Sequence, residues 1–193
     1  MSHRTLMLVS LIIAATCAPA FGDWTYNPST GHWYQLTAPG LTWTQAEQAA
    51  AKFAGHLVTI NDSAENDWIL AQFGTGQLYL WIGLYQLPGS PEPATGWVWV
   101  SGEPITFTHW GNGEPNENSP DEDFGEILGA LVTNPGPGWW NDSRDSFPLN
   151  AGIVEREVDP AVPTVSEWGL VVMTLLTLAA GTIILVRPRL ARA

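Results

Sequence analysis

Gly111-Asn112-Gly113-Glu114-Pro115-Asn116-Glu117-Asn118-Ser119-Pro120-Asp121-Glu122-Asp123, answered further on by Trp139-Trp140-Asn141-Asp142, decides how the rest of the chain is read. The region from Ser101 to Trp139 is rich in Gly, Pro, Asn and acids, with one apolar strand expected at Ile127 to Val132. Irregular stretches this long inside a compact domain are either functional or disordered. Trp110, Trp139 and Trp140 within it favour packing, so an ordered binding loop is expected. Glu114 and Asn116 are two apart in extended chain, which puts both side chains on the same side. Pro115 between them fixes one backbone dihedral and takes a cis bond at small cost. Asn141 and Asp142 add amide and carboxylate oxygens, and Glu122 and Asp123 lie between the two motifs. Hard, oxygen-only donors suit Ca²⁺, which takes about six to eight oxygens at roughly 2.3–2.6 Å. Zinc would want His or Cys, and neither stands with them. A solvated acidic surface is the other reading of this loop. Six acids from Glu114 to Glu126 would then repel one another without counter-ions.

Working outward, both ends of the 193-residue chain are set apart from one domain of ordinary size. Residues 1–22 carry Arg4, the apolar run Leu6 to Ala15, and small residues at Ala18, Ala20 and Gly22, the pattern of a secretory signal peptide. Residues 169–186 are uncharged and long enough to cross a bilayer, and Arg187, Arg189 and Arg192 behind them predict a cytoplasmic end. The organisation expected is a signal peptide over 1–22, a domain over 23–158, a linker and sorting motif over 159–168, a transmembrane segment over 169–186 and a basic tail over 187–193. The domain therefore faces outward.

Residues 23–168 hold all 19 acids and only three of the seven bases, Lys52, Arg144 and Arg156, for a net charge of −16 there. With no basic patch to neutralise phosphates, nucleic acid is excluded as a partner and cations are favoured. The only cysteine, Cys17, lies in the signal segment, so the domain has neither disulfide nor thiolate nucleophile.

Within the domain, Trp33 to Leu36 reads as a strand. Thr42 and Gln45 have capping-box spacing for a helix to Phe53, and Asp62 and Glu65 repeat it for a helix to Phe73 with Trp68, Ile69 and Phe73 inward. His56 to Ile60, Tyr79 to Leu84, Trp97 to Val100 and Gly152 to Glu155 read as extended runs. Two helices, several short strands and one long loop predict an α+β domain.

These pieces, taken in order, resemble a C-type lectin domain over most of residues 26–156. The resemblance is carried by Thr42-Trp43 through Gly55-His56-Leu57-Val58-Thr59-Ile60, by Trp81-Ile82-Gly83-Leu84, and by Gly96-Trp97-Val98-Trp99. Gly102-Glu103-Pro104, Trp110, Glu114-Pro115-Asn116, Glu122-Asp123 and Trp140-Asn141-Asp142 complete it. It implies a C-type lectin-like fold with two helices, short antiparallel strands and a long calcium-binding loop. It also implies Ca²⁺ held by Glu114, Asn116, Glu122, Asn141 and Asp142, with Glu114, Asn116, Glu122 and Asn141 touching the sugar. Glu117, Asp121 and Asp123 are candidates for a second ion. The Glu-Pro-Asn order is similar to that of members favouring mannose- or glucose-type sugars. The chain departs from the family at its cysteines, where it carries Ala50, Phe124, Asp145 and Val154. The first two and Val154 are expected to pack as apolar replacements, and Asp145 to be exposed.

Val162-Pro163-Thr164-Val165-Ser166-Glu167-Trp168-Gly169, the apolar span and the terminal arginines resemble bacterial C-terminal sorting signals of the Ile-Pro-Thr-Leu type, cut by exosortase-like membrane enzymes. A plain membrane anchor is the other reading of that span. Together these imply an exported calcium-dependent glycan-binding module, membrane-anchored facing outward, or at the cell surface or extracellular after tag processing. Two other readings use the same residues: a calcium-stabilised adhesion module that binds protein, and a glycosidase with Glu114 and Asp142 as its acid pair.

Overall fold

The computed structural model describes residues 24–145 and 151–160. The signal segment, the sorting motif, the apolar span and the basic tail lie outside them. Among the described residues no helix is long and apolar enough to cross a membrane.

The chain opens on an antiparallel hairpin of β1 (Thr25–Asn27) and β2 (His32–Leu36). Its turn is closed by Gly31 N donating to Asn27 O (2.9 Å) and Ser29 N to Asn27 Oδ1 (3.0 Å). β1 has no sequence signal of its own; three residues show too little alternation, and pairing with β2 makes them a strand. α1 (Trp43–Ala51) begins at the expected box, with Gln45 N donating to Thr42 Oγ1 (3.3 Å) and Thr42 N to Gln45 Oε1 (3.1 Å). It buries Trp43, Ala46 and Ala50. After β3 (His56–Leu57), Val58, Thr59 and Ile60 run fully buried outside any named strand.

α2 (Ser63–Phe73) is capped by Asp62, whose Oδ1 accepts from Glu65 N (2.8 Å). The reciprocal half of the expected box is absent, because the Glu65 carboxylate turns inward to Tyr34 and the Asn61 backbone. The inner face is therefore more polar than the sequence suggested: Glu65, Asn66 and Ile69 are buried, while Trp68 and Phe73 are only half-buried.

β4 (Tyr79–Gln86), β5 (Trp97–Trp99), β6 (Phe124–Leu128), β7 (Trp140–Ser143) and β8 (Ala151–Arg156) complete the sheet. Its order is β1-β2-β8-β4-β6-β7, with β3 on β8 and β5 on β4. The α+β expectation holds: the strand pairs are antiparallel except β4 with β8, which run parallel and make the sheet mixed. One correction concerns β6. The apolar run Ile127 to Val132 is not the strand; pairing starts at Phe124 and stops at Leu128, where the chain turns through Gly129. At the centre, a Cβ on Gly83 would lie 2.4 Å from Leu57 O, so only glycine lets this strand pass so close.

Trp81, Trp99, Trp140 and Tyr34 are the largest buried side chains. Trp81 Nε1 donates to Leu41 O (3.0 Å) and Trp140 Nε1 to Asn66 Oδ1 (2.8 Å), the Tyr34 hydroxyl bonds Glu65, and nearby Trp43 Nε1 donates to Ile82 O (2.7 Å). Ala50 and Val154 are fully buried, and Phe124 packs its ring 4.9 Å from that of Trp43. Asp145 is not simply exposed. Its Oδ1 accepts from Thr44 N (2.8 Å) in the first turn of α1, where a carboxylate meets the positive end of the helix.

A buried polar cluster joins β2, α2 and β8. The Tyr34 hydroxyl lies 2.9 Å from Glu65 Oε1 and 3.1 Å from Glu155 Oε1, His32 Nδ1 lies 2.6 Å from Glu155 Oε1, and Thr59 N donates to Glu155 Oε2 (2.8 Å). Burial pushes Glu65 up to about 7, and the bond to Glu155 raises His32 above its usual range. The histidines gave no sign of this in the sequence, because their partners lie far along the chain.

Candidate functional site

The long loop between β5 and β6 returns to the outer edge of the sheet, where β7 is the last strand. Trp140 anchors that edge from within: it is fully buried, its N–H donates to His109 O (2.8 Å), and its carbonyl accepts from Gly111 N (2.8 Å). Those two bonds bind the middle of the loop to β7 and bring the Glu114 motif against Asn141 and Asp142. The Glu114–Pro115 bond is cis. Glu114 and Asn116 meet as their spacing predicted, with Asn116 Nδ2 donating to Glu114 Oε2.

Asp142 is the hinge of the arrangement. It is 2% exposed; its Oδ2 accepts from both Asn116 N and Glu117 N (2.9 Å each), while its Oδ1 is buried without a hydrogen-bond partner. Glu114 stands beside it. Burial, then the Asp142 carboxylate, then the charge of Glu122, push Glu114 up to about 7. Among the described residues the ion pairs are those of His32 and His56 with Glu155, and none reaches Glu114, Glu122 or Asp142. Glu114, Glu122, Glu126, Asn141, Asp142 and Arg144 are among the residues lining one open cleft of about 460 Å³.

All five residues implied as calcium ligands are thus brought to one place. Oxygen donors from carboxylates and amides fit a hard cation, and a buried, unpartnered Asp142 Oδ1 beside a second carboxylate fits one better than it fits solvent. The carboxylates alone do not form a ready cage: among the described residues no three His, Cys, Asp or Glu side chains are grouped to hold a metal. Glu117, Asp121 and Asp123 are placed differently. Glu117 has a positive φ, and its carboxylate accepts from Asp121 N (2.8 Å) and Glu122 N (3.3 Å), which folds the loop upon itself. Asp123 is raised by burial and by Glu92, Glu117 and Asp121.

Glu126 reads in the sequence only as one more acid adding to the field of the loop, and the structure gives it a definite partner. Glu126, 3% exposed on β6, sits opposite Asn141 on β7 and accepts from its Nδ2 (3.0 Å). Asn141 Nδ2 also donates to Asp142 O (2.6 Å), so both of its amide hydrogens are engaged. Only the cross-strand register, hidden in the sequence, places Glu126 there.

The fold and this edge site define a C-type lectin domain. The chain belongs to that family: the Lectin C-type domain model matches residues 40–151. The chain is a lectin-type domain, not an enzyme, and the family generally binds Ca²⁺. Human C-type mannose receptor 2 is 33% identical over 132 residues, covering 68% of this chain and 8% of the receptor, so the chain spans a small fraction of that relative. The cow CD23 carbohydrate-recognition domain, crystallised in the presence of a GlcNAc2Man3 oligosaccharide, is 26% identical with a TM-score of 0.59, over 75% of this chain and 98% of that one. The carbohydrate-recognition domain of mouse scavenger receptor C-type lectin is 28% identical with a TM-score of 0.57, over 76% of this chain and all of that one.

Proposed function

We propose that residues 23–158 are the calcium-dependent carbohydrate-binding module of an exported protein, with a preference for mannose- or glucose-type sugars. The observation that carries this reading is the crowding of Glu114 and Asp142, one raised to about 7 and the other with a buried unpartnered oxygen, at an edge where, among the described residues, no ion pair reaches either of them. Glu114, Asn116, Glu122, Asn141 and Asp142 would hold the ion. Bound there, Ca²⁺ would supply a Lewis-acidic point whose coordination vicinal sugar hydroxyls complete.

The chain's own residues orient the sugar. Glu114 and Glu122 accept hydrogen bonds from hydroxyls through oxygens not turned to the ion. Asn116 keeps one amide hydrogen beyond its bond to Glu114, whereas Asn141 has both engaged by Glu126 and Asp142. Donation to the sugar therefore falls first on Asn116, and Asn141 serves through its oxygen. Glu126 is the positioning residue that fixes the Asn141 amide. Export and outward anchoring rest on the signal-like segment 1–22 and the span 169–186, with release or surface attachment following if an exosortase-like enzyme cuts the tag.

Binding to a glycan array in calcium and in EDTA tests the reading. Mannose- or glucose-type ligands should be retained in calcium and lost with the chelator. Retention in EDTA, or binding to protein ligands with no glycan bound in calcium, would overturn it.

A further inference from the structure

The long β6–β7 connection brings a second cleft beside the first. It holds about 460 Å³ and is lined by Trp110, Gly111, Asn112, Gly113, Pro135 and Trp139. Gly111, Asn112 and Pro135 also line the pocket that contains Glu114 and Asn141, so the two spaces are continuous along the loop. Gly111 is the seam: a Cβ there would lie 3.3 Å from Glu114 Cγ and 3.9 Å from Trp139 Cβ. Any side chain at that position would rise between the acids and the indole.

Trp139 differs from the other tryptophans of this region. Trp140 is buried and Trp110 packs edge-on against Trp97 at 4.9 Å, but Trp139 is 37% exposed. Its ring lies nearly parallel to that of His109, 4° between planes and 4.2 Å between centroids, and His109 in turn stacks on Phe107 at 5.8 Å. His109 does not line the cleft. It backs the indole, holding a large aromatic surface in a fixed orientation beside a polar site. The relation is one of continuity with the ion-binding edge, and the cleft's chemistry is an aromatic face with polar backbone around it.

We propose that this cleft binds the second pyranose ring of an oligosaccharide whose first ring is held at Glu114 and Asn116. The ring that fits carries its C–H groups on one face, as gluco-configured β-pyranosides do, and lays that face on Trp139. The assignment rests on the carbohydrate-binding reading above and adds the class of ligand: glycans of two or more residues are bound in preference to single sugars, with Trp139 setting the preference.

The test compares methyl α-mannoside and methyl β-glucoside with mannobiose and cellobiose by calorimetry on the calcium-loaded full chain. At least one disaccharide should bind about three- to tenfold more tightly than its monosaccharide, the range expected of one aromatic contact. In Trp139→Ala that ratio should fall to about one while monosaccharide and calcium affinities stay within about twofold of wild type. Trp139→Phe, which keeps a ring on His109, should retain part of the ratio and guards against a folding defect. Equal affinity for mono- and disaccharide in the wild type, or an unchanged ratio in Trp139→Ala, overturns the cleft assignment and leaves the primary site standing. No saccharide bound by the calcium-loaded wild type overturns both.

Discussion

Two groups of carboxylates lie toward opposite edges of the strand order, and the chain treats them differently. On the β2–β8 side, Glu65 and Glu155 are buried together, yet a tyrosine hydroxyl, a histidine and two backbone N–H groups supply them with donors. At the β7 edge, Glu114 and Asp142 are pressed together with Glu122 near, and one oxygen of the most buried carboxylate has no donor. Burial alone therefore does not mark a ligand site. The mark is a carboxylate pair whose hydrogen bonding the protein leaves incomplete, because an unmatched buried charge needs something from outside to hold it.

The largest expected effect is on the matched cluster. Glu155→Ala strips the partners from His32, Tyr34 and Thr59 N together and should lower stability by about 3 kcal/mol. Urea unfolding should show that loss equally in calcium and in chelator. A calcium-dependent loss would mean that the two clusters are not separate in function.

Next is the metal itself. An ion that binds only the folded chain stabilises it by about 2.7 kcal/mol at a hundredfold excess over Kd. The melting temperature should therefore rise in millimolar calcium and fall in EDTA. Glu155→Ala should keep this calcium increment, and Asp142→Ala should lose it.

The matched cluster should also contribute to the acid response in chelator. Glu65 is about 7 in the folded chain against an ordinary 4.5, so the folded state holds the extra proton between those values. That contribution is complete below about pH 4.5 and is lost as pH rises through about 7, on the order of 2 kcal/mol. His32, raised by Glu155, acts in the same direction, its share present below its ordinary range and lost as pH passes its raised value. Tyr34, Glu155, His56, Asp62 and Glu157 surround these groups. The stability of the wild type minus that of Glu65→Gln, whose neutral amide stands in for the protonated acid, should fall as pH rises from about 4.5 to about 7.5; a value that rises with pH would reverse the assignment.

How far the two regions could be read beforehand differs for the same physical reason. The capping residues Thr42 and Asp62, the tryptophan strands and the Glu114–Asn116 pair are local patterns, and each was legible. β7 was not, because Trp-Asn-Asp-Ser has little strand preference and takes that form only through pairing with β6. The start of β6 was misplaced for a related reason. Gly125 and Glu126 are poor strand residues held by register, while the more apolar Leu131 turns out exposed at 55%. The Tyr34–Glu65–Glu155–His32 cluster and the Glu126–Asn141 contact join residues brought together only by the sheet. For Trp110 and Trp139 at the loop mouth the sequence leaves two readings, packing first and stacking on a sugar second, and only the structure separates them by exposing the Trp139 indole.

The smallest effect distinguishes the edges by sign. Glu114→Gln removes one of two crowded charges and should raise stability in chelator by about 0.5 kcal/mol, while weakening calcium binding. The same kind of change at Glu155 should instead lower stability, because it disturbs the bonds from His32, Tyr34 and Thr59 N.

The measurement closest to the central claim is a calorimetric calcium titration of the wild-type chain beside Asp142→Asn, which keeps the side chain's shape and removes its charge. The wild type should bind calcium saturably at the β7 edge, and the variant at least about tenfold more weakly. Absence of saturable binding in the wild type, or equal affinity in Asp142→Asn, would contradict it.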